Sequence, residues 1–124
     1  NGVIYVIAGM QFYSISSAGE KNWGWTTAQV WNDTTPVVLA NGDAYLAWPW
    51  FSLMGVRPSQ PIVEQIKLDG NITSSLTAAD NGTIYFDCGR DLVAVAPTNA
   101  APPAKSPWPM FRANPQHTGR VATH

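Results

Sequence analysis

Short runs of β-prone, mostly apolar residues recur along the chain, and polar turn residues separate them. Three of these runs closely follow an Asn-Gly pair, at residues 3–7, 44–48 and 83–86. Valine, isoleucine, tyrosine and phenylalanine are frequent in them, as they are in strands. No segment combines a period of about 3.6 residues with helix caps. The pattern therefore predicts an all-β chain with almost no helix.

The Asn-Gly pairs mark an internal repeat with a spacing of 40 residues, and a tyrosine follows each pair at the same distance. The matching positions are Asn1-Gly2 with Tyr5, Asn41-Gly42 with Tyr45, and Asn81-Gly82 with Tyr85. Asn-Gly tolerates positive φ at two successive positions, which suits a tight hairpin turn. Apolar runs also precede two of the pairs, at 36–40 and 75–78. A period near 40 with strand-like content is typical of the four-stranded blade of a β-propeller.

Further strands complete the predicted repeat in the first and third copies. Third strands fit residues 11–15 and 92–96, and fourth strands fit 22–26 and 109–112. The first copy lacks the strand before its Asn-Gly pair, because the chain begins at that turn. We therefore expect one unit over residues 1–124 that consists of about three four-stranded blades, with repeats starting near residues 1, 41 and 81.

The middle copy departs from this pattern. Residues 49–60 form an irregular insertion where a short hairpin is expected, and 62–68 then alternates as a strand that ends at Asp69-Gly70. The next ten residues, 71–80, are too few for two full strands. Two interpretations stay open: one strand is reduced, or the insertion supplies one.

The last part of the chain predicts a connector followed by a closing strand. Residues 97–107 are rich in proline and alanine, which favours an extended path along the surface. The connector leads into residues 108–120, which we expect to add a strand near the end of the unit.

Composition and charge exclude several classes of function. Hydrophobic residues make up 45% of the 124 residues and charged residues 12%, with a formal net charge of −1. A nucleic-acid binder that neutralises many phosphates is not expected at this balance, and neither is a polybasic membrane-surface module. No apolar run of about 20 residues predicts a membrane span. Cys88 is the only cysteine, which excludes an internal disulfide and a multi-cysteine metal site.

The repeat unit resembles the quinoprotein-type (PQQ-like) β-propeller repeat. Gly19-Glu20-Lys21-Asn22-Trp23 matches the turn and the docking tryptophan of that repeat. Residues 108–120 are similar to a Trp-Pro-Met-Phe-Arg-x-Asn-Pro-Gln-His-Thr-Gly-Arg signature seen in bacterial proteins with such propellers. The resemblance implies structural roles for the signature residues Trp23, Trp108, Arg112 and His117. It also implies a periplasmic or extracellular location and, since most members hold no quinone, no cofactor.

Three blades do not make a propeller, which normally closes with four to eight. Unpaired strand edges and exposed apolar faces at both ends are unfavourable in water. We therefore expect the partner to be the rest of a longer propeller or a second copy of the chain. Two copies supply about six blades, and a ring of identical halves has twofold symmetry, the commonest arrangement.

The aromatic residues that open the insertion are the candidate ligand-binding site. Trp48, Trp50 and Phe51 surround Pro49, and neighbouring aromatics on a loop cannot all point inward. A flat platform of this kind stacks on sugar rings or grips a peptide. The alternative is that the insertion folds over a blade and buries these side chains.

No catalytic or metal-binding residue is predicted. His117 has no partners at ligand spacing, so a hydrogen-bonded structural histidine is expected. Cys88 lies between Asp87 and Arg90, with Asp91 beyond, but without an identified base it is expected to be a small buried residue.

Three hypotheses about function follow. The first is a non-catalytic structural or interaction module of a bacterial extracytoplasmic protein, with a protein partner. The second is carbohydrate binding at Trp48, Trp50 and Phe51. The third, which the resemblance alone suggests, is a piece of a quinone-dependent dehydrogenase, which also requires a closed ring with a central cofactor.

Overall fold

A computed structural model of the chain describes residues 2–26, 35–48, 51–105 and 109–110, with only the backbone at residues 60 and 61. Ten strands and no helix are found within these ranges. The strands are β1 (Val3–Ala8), β2 (Gln11–Ser16), β3 (Lys21–Thr26), β4 (Val37–Val38), β5 (Ala44–Trp48), β6 (Ser52–Arg57), β7 (Gln60–Lys67), β8 (Thr77–Ala78), β9 (Ile84–Cys88) and β10 (Asp91–Val95). The prediction of an all-β chain is confirmed.

The strands form three antiparallel sheets, one for each copy of the sequence repeat. Sheet 1 has the order β1-β2-β3, sheet 2 the order β4-β5-β6-β7, and sheet 3 the order β8-β9-β10. None of the three sheets closes on itself within the described residues. Each is a simple meander, because short turns join every pair of neighbouring strands.

The two described Asn-Gly turns have the same hydrogen bonds. Gly42 N–H donates to Leu39 O over 3.0 Å, and Gly82 N–H donates to Ala79 O over 2.8 Å. Only the glycine has positive φ, +88° at Gly42 and +82° at Gly82, so the expectation of two successive positive φ angles is wrong. The asparagine instead accepts a bond from the second residue after it, as from Asp43 N–H to Asn41 Oδ1.

The expectation of an irregular insertion at residues 49–60 is wrong. Ser52–Arg57 is strand β6, which pairs along its length with β5 from Trp48↔Ser52 to Ala44↔Val56. Residues 52–56 are all buried, because sheet 2 lies between the other two sheets and both of its faces are covered. The sequence lacks a glycine at the turn, and Phe51 adopts the positive φ there instead, at +62°.

Both interpretations of the middle of the chain hold in part, since the insertion supplies β6 and the first strand of the third copy is reduced. β8 has two residues, and Ile72 before it forms an isolated bridge with Cys88. Sheet 2 has four strands, and sheets 1 and 3 have three described strands each. The three strands of sheet 1 agree with the expectation that the first copy lacks the strand before its Asn-Gly pair. Of the expected fourth strand at 109–112, the described residues Pro109 and Met110 are not in a strand.

The described part of the connector runs along the edge of β4 that faces away from β5. Ala40 N–H donates to Pro102 O and Ala104 N–H donates to Val38 O, both over 2.8 Å. Leu39 forms an isolated antiparallel bridge with Pro103 between these two bonds. Proline is tolerated here because the connector is an edge segment. The connector therefore covers the β4 edge of sheet 2.

The sheets pack face to face in the order of the chain. Between sheets 1 and 2, Phe12 packs with Leu46 and Met54 in one buried cluster. Between sheets 2 and 3, Tyr45 and Phe86 belong to a second cluster, which also contains Met110. Full burial of one large apolar side chain contributes about 1.5–3 kcal/mol. These two layers therefore supply most of the hydrophobic stabilisation among the described residues.

Candidate functional site

A layer of aromatic rings joins sheet 1 to sheet 2. Trp23 lies 5.4 Å from Phe12 and 5.2 Å from Trp25, measured between ring centroids. Its indole Nε1–H donates to Arg57 O over 3.1 Å and to Pro58 O over 2.9 Å, at the turn between β6 and β7. Trp23 therefore packs within sheet 1 through its ring and connects sheet 1 to sheet 2 through its indole N–H.

The three residues of the expected aromatic platform do not share one environment. Trp48 is half-buried and packs edge-on against Trp25, with centroids 5.4 Å apart and planes at 88°. Phe51 is 48% exposed. Trp50 lies outside the described residues, as do the signature residues Trp108, Arg112 and His117. Of the platform, the structure places Phe51 at the surface and Trp48 in the layer between two sheets.

Phe51 combines exposure with an unfavourable backbone conformation. Its φ of +62° is rare for a residue with a Cβ and is strained for an aromatic one. The equivalent turns of sheets 1 and 3 use glycine, Gly9 at +60° and Gly89 at +65°. Leu68 N–H donates to Phe51 O over 2.7 Å, which ties the turn to the end of β7. The fold thus holds an exposed phenyl ring where its own repeat has glycine.

A bidentate ion pair lies at the opposite end of the same hairpin. Arg57 Nε is 2.9 Å from Asp43 Oδ1, and Arg57 Nη2 is 3.0 Å from Asp43 Oδ2. Asp43 is 1% exposed, so its carboxylate depends on this partner. The bond to Asp43 raises the pKa of Arg57. This pair was not among the sequence predictions, although Asp43 and Arg57 are both seven positions from residue 50, the spacing of two residues that face each other across a hairpin.

A second polar network ties sheet 2 to the connector. Tyr45 O–H donates to Glu64 Oε2 over 2.8 Å, and Thr98 Oγ1–H donates to Glu64 Oε1 over 2.7 Å. Burial raises the pKa of Tyr45, and its bond to Glu64 raises it further. Burial acts to raise the pKa of Glu64, but the bonds from Thr98 and Tyr45 outweigh it and hold that pKa below its ordinary value. The network therefore keeps a neutral phenol against a charged carboxylate.

A groove of about 760 Å³ lies beside β1, and we call it the edge groove. β1 and the residue before it form one wall, and β4 and the end of the connector form the other. Apolar side chains dominate the lining; the main ones are Ile4, Tyr5, Val38, Leu39, Pro109 and Met110. Ile4 is 57% exposed. The edge groove therefore exposes both apolar surface and the backbone of a strand.

The edge of β1 at this groove is unpaired among the described residues. β1 pairs with β2 alone, whereas its repeat equivalents β5 and β9 each pair on both sides. In sheets 2 and 3 the strand before the Asn-Gly turn fills the corresponding place: Val37 pairs with Tyr45, and Thr77 pairs with Tyr85. Tyr5 occupies the same repeat position as these two tyrosines. An unpaired strand edge offers backbone donors and acceptors to another extended segment.

The remaining titratable groups of the described residues form no comparable site. Cys88 is buried and lines a groove of about 400 Å³ with Asp69, Arg90 and Asp91. Within the described ranges, no three His, Cys, Asp or Glu residues come together in a group that could hold a metal ion. The part of the chain that the structure describes also contains no helix long and apolar enough to cross a membrane.

Comparison with known proteins identifies no family. No protein-family model matches the chain, and no curated protein matches it. Among solved structures, the chain is similar to a protein of unknown function from Bacteroides caccae, with 13% sequence identity and a TM-score of 0.37. The alignment covers 82% of this chain and 55% of that protein, so the chain spans about half of its length.

Proposed function

We propose that this chain is a non-catalytic interaction module that binds an extended peptide strand along the free edge of β1. The observation that carries the proposal is the contrast between β1, which is paired on one side among the described residues, and β5 and β9, which are paired on both. The edge groove supplies an apolar surface next to the backbone groups that a strand requires.

The wider setting of the module is part of the same proposal. We infer that the three sheets are blades of a PQQ-like propeller in a bacterial extracytoplasmic protein. The 40-residue repeat supports this inference, as does the stacking of the sheets in chain order. Trp23 supports it too, because its contact with the next sheet fits the docking role that the resemblance implies.

β4 lies beside β5 in sheet 2, at the position that a peptide strand bound to β1 would take in sheet 1. The contacts of β4 therefore indicate the chemistry that such a peptide needs. Leu39 N–H donates to Asp43 O over 2.8 Å, toward β5, whereas Val38 N–H points the other way and donates to Pro109 O over 2.8 Å. A strand bound at β1 therefore needs the N–H that corresponds to Leu39 and can lose the one that corresponds to Val38. Apolar side chains such as those of Val37 and Leu39 suit the groove.

A synthetic peptide with the sequence of residues 35–41 tests the proposal, because its backbone can be altered one amide at a time. We expect saturable binding to the chain, measured by calorimetry. N-methylation at the Leu39 position removes a ladder hydrogen bond and adds a clash, so affinity should fall about tenfold or more. N-methylation at the Val38 position is the matched control and should change affinity little.

Two results oppose this assignment. Equal loss of affinity for both methylated peptides means that the peptide does not bind as a strand in the register of β4. Undetectable binding of the unmodified peptide at the highest soluble concentration means that β1 does not accept a strand of this chemistry.

Carbohydrate binding at Phe51 is the second candidate function, and the strained, exposed ring is the observation that favours it. Exposed aromatic rings stack on the apolar faces of sugars. A glycine at this turn would remove the strain of the positive φ and stabilise the fold. A phenyl ring at such a strained position therefore fits a residue that serves in binding.

The Phe51→Gly variant should unfold at higher urea concentration than the Phe51→Ala variant. Glycine accepts positive φ without strain, so the gain is about 1 kcal/mol, while alanine keeps the Cβ that causes the strain. Urea unfolding followed by tryptophan fluorescence measures the difference. If Phe51 binds glycans, both variants should lose retention on polysaccharide affinity gels. A Phe51→Gly variant that retains full glycan binding excludes the site.

A further inference from the structure

Each of the three sheets has two faces with different side chains, because side chains alternate along a strand. The same combination of two faces packs together at both of the interfaces between sheets. We call the face that carries Tyr5, Tyr45 or Tyr85 the Tyr face, and the opposite face the back face. The Tyr face of sheet 1 packs on the back face of sheet 2, where Tyr5 meets the cluster of Ala44 and Leu46. The Tyr face of sheet 2 packs on the back face of sheet 3, where Tyr45 shares a cluster with Ile84.

One face of each kind is left at the ends of the stack. On the Tyr face of sheet 3, Tyr85 is 39% exposed and Leu92 is 74% exposed. These two side chains line a shallow concavity of about 330 Å³ together with Thr77 and Asp87. The equivalent Tyr45 is 1% exposed because sheet 3 covers it. Sheet 3 therefore exposes the surface that sheets 1 and 2 both bury.

The back face of sheet 1 is the matching surface. Ile4 occupies the repeat position of Ala44 and Ile84, both of which are fully buried between sheets, yet Ile4 is more than half exposed. Tyr13 lies on the same face, and Lys21 Nζ is 5.6 Å from the centroid of its ring. The two end faces also carry opposite charges, Lys21 on the back face of sheet 1 and Asp87 on the Tyr face of sheet 3.

We propose that the Tyr face of sheet 3 docks on the back face of sheet 1 of a second copy of this chain. The contact continues an interface that the chain already forms twice. It places Ile4 of one copy near Tyr85 of the other, in the way that Ile84 and Tyr45 share one buried cluster. Each contact joins two different surfaces, and the twofold axis repeats it, so sheet 3 of each copy meets sheet 1 of the other. Two copies joined in this way at both ends form a closed ring of six sheets, within the range of propellers.

This inference treats the chain as an interaction module, as the proposed function does, but it concerns the sheet faces. Ile4 belongs both to the back face of sheet 1 and to the lining of the edge groove. Peptide binding at β1 and self-association are measured separately. A monomeric chain that binds the peptide overturns the inference alone, and a dimeric chain that ignores the peptide overturns the proposed function alone.

Light scattering over a range of protein concentrations tests the contact. The unaltered chain should approach twice its mass of 13.4 kDa. Leu92→Asp and Ile4→Asp each place a charge on one of the two faces, so each variant alone should stay monomeric. Ser17→Asp, in an exposed turn away from both faces, is the control and should associate like the unaltered chain. Circular dichroism confirms that the variants are folded.

Mixing the two face variants gives the sharpest test. Each keeps one intact face, so an equal mixture of Leu92→Asp and Ile4→Asp should form a heterodimer through one intact contact. Self-association of Ile4→Asp alone would show that sheet 3 pairs with sheet 3, which contradicts the proposal. A mixture that stays monomeric, or an unaltered chain that stays at its monomer mass at the highest concentration reached, also contradicts it.

Discussion

Replacement of Arg57 by methionine should lower the stability of the chain sharply. The substitution keeps the length and apolar stem of the side chain but removes the guanidinium that holds both carboxylate oxygens of Asp43. The carboxylate of Asp43 is buried, so the loss of its cation destabilises the fold. In urea, the unfolding midpoint should fall while the slope of the transition stays the same.

The double variant Asp43→Asn with Arg57→Met separates the ion pair from packing. It removes the buried charge together with its partner, so it should be more stable than Arg57→Met alone. The single Asp43→Asn variant completes the cycle and gives the coupling between the two side chains. A cycle without coupling, or an Arg57→Met chain with an unchanged midpoint, would mean that Asp43 does not depend on Arg57.

Substitution of alanine for Gly82 should be far more damaging than the same substitution at Gly42, although the two glycines occupy the same turn of the repeat. Both have positive φ, which costs an alanine about 1–2 kcal/mol. A Cβ at Gly42 has no atom within 4 Å, whereas one at Gly82 lies 2.5 Å from Ala101 N and 2.7 Å from Ala101 O. The connector must therefore move, which adds about 1–3 kcal/mol.

The two alanine variants are each other's control, because the strain is shared and only the collision differs. Urea unfolding gives the difference in stability. Hydrogen exchange at the amide of Ala40, which donates to Pro102 O, should rise more in the Gly82→Ala variant, since displacement of the connector weakens that bond. Equal losses of stability would mean that the connector does not press against the third Asn-Gly turn.

Where the pattern of the repeat was regular, it predicted the strands closely. Residues 44–48 were predicted as a strand and are strand β5. β6 was missed because its turn carries no glycine: Phe51 takes the positive φ, and a phenylalanine gives no such signal. The partnership of Asp43 with Arg57 depends on the register of that hairpin, so it became visible only once the turn was placed.

The sequence likewise predicted only part of the candidate site. The sequence predicted unpaired strand edges, and among the described residues β1 pairs on one side only. The amino-acid sequence did not indicate which aromatic residues face a neighbouring sheet. Trp48 and Phe51 are three residues apart, yet one packs against Trp25 and the other is exposed. The packing of sheet 2 on sheet 1 determines which of the two side chains is buried, and the local sequence pattern does not predict this packing.

Hydrogen exchange at the amide of Tyr5, measured by NMR with and without the peptide of residues 35–41, tests the central claim most directly. Tyr45 and Tyr85 pair with the strands that precede them, and Tyr5 has no such partner among the described residues. We predict fast exchange at Tyr5 in the isolated chain, slow exchange at Tyr45, and strong protection of Tyr5 once the peptide binds. Slow exchange at Tyr5 without any peptide would show that the edge is already occupied and would contradict the account.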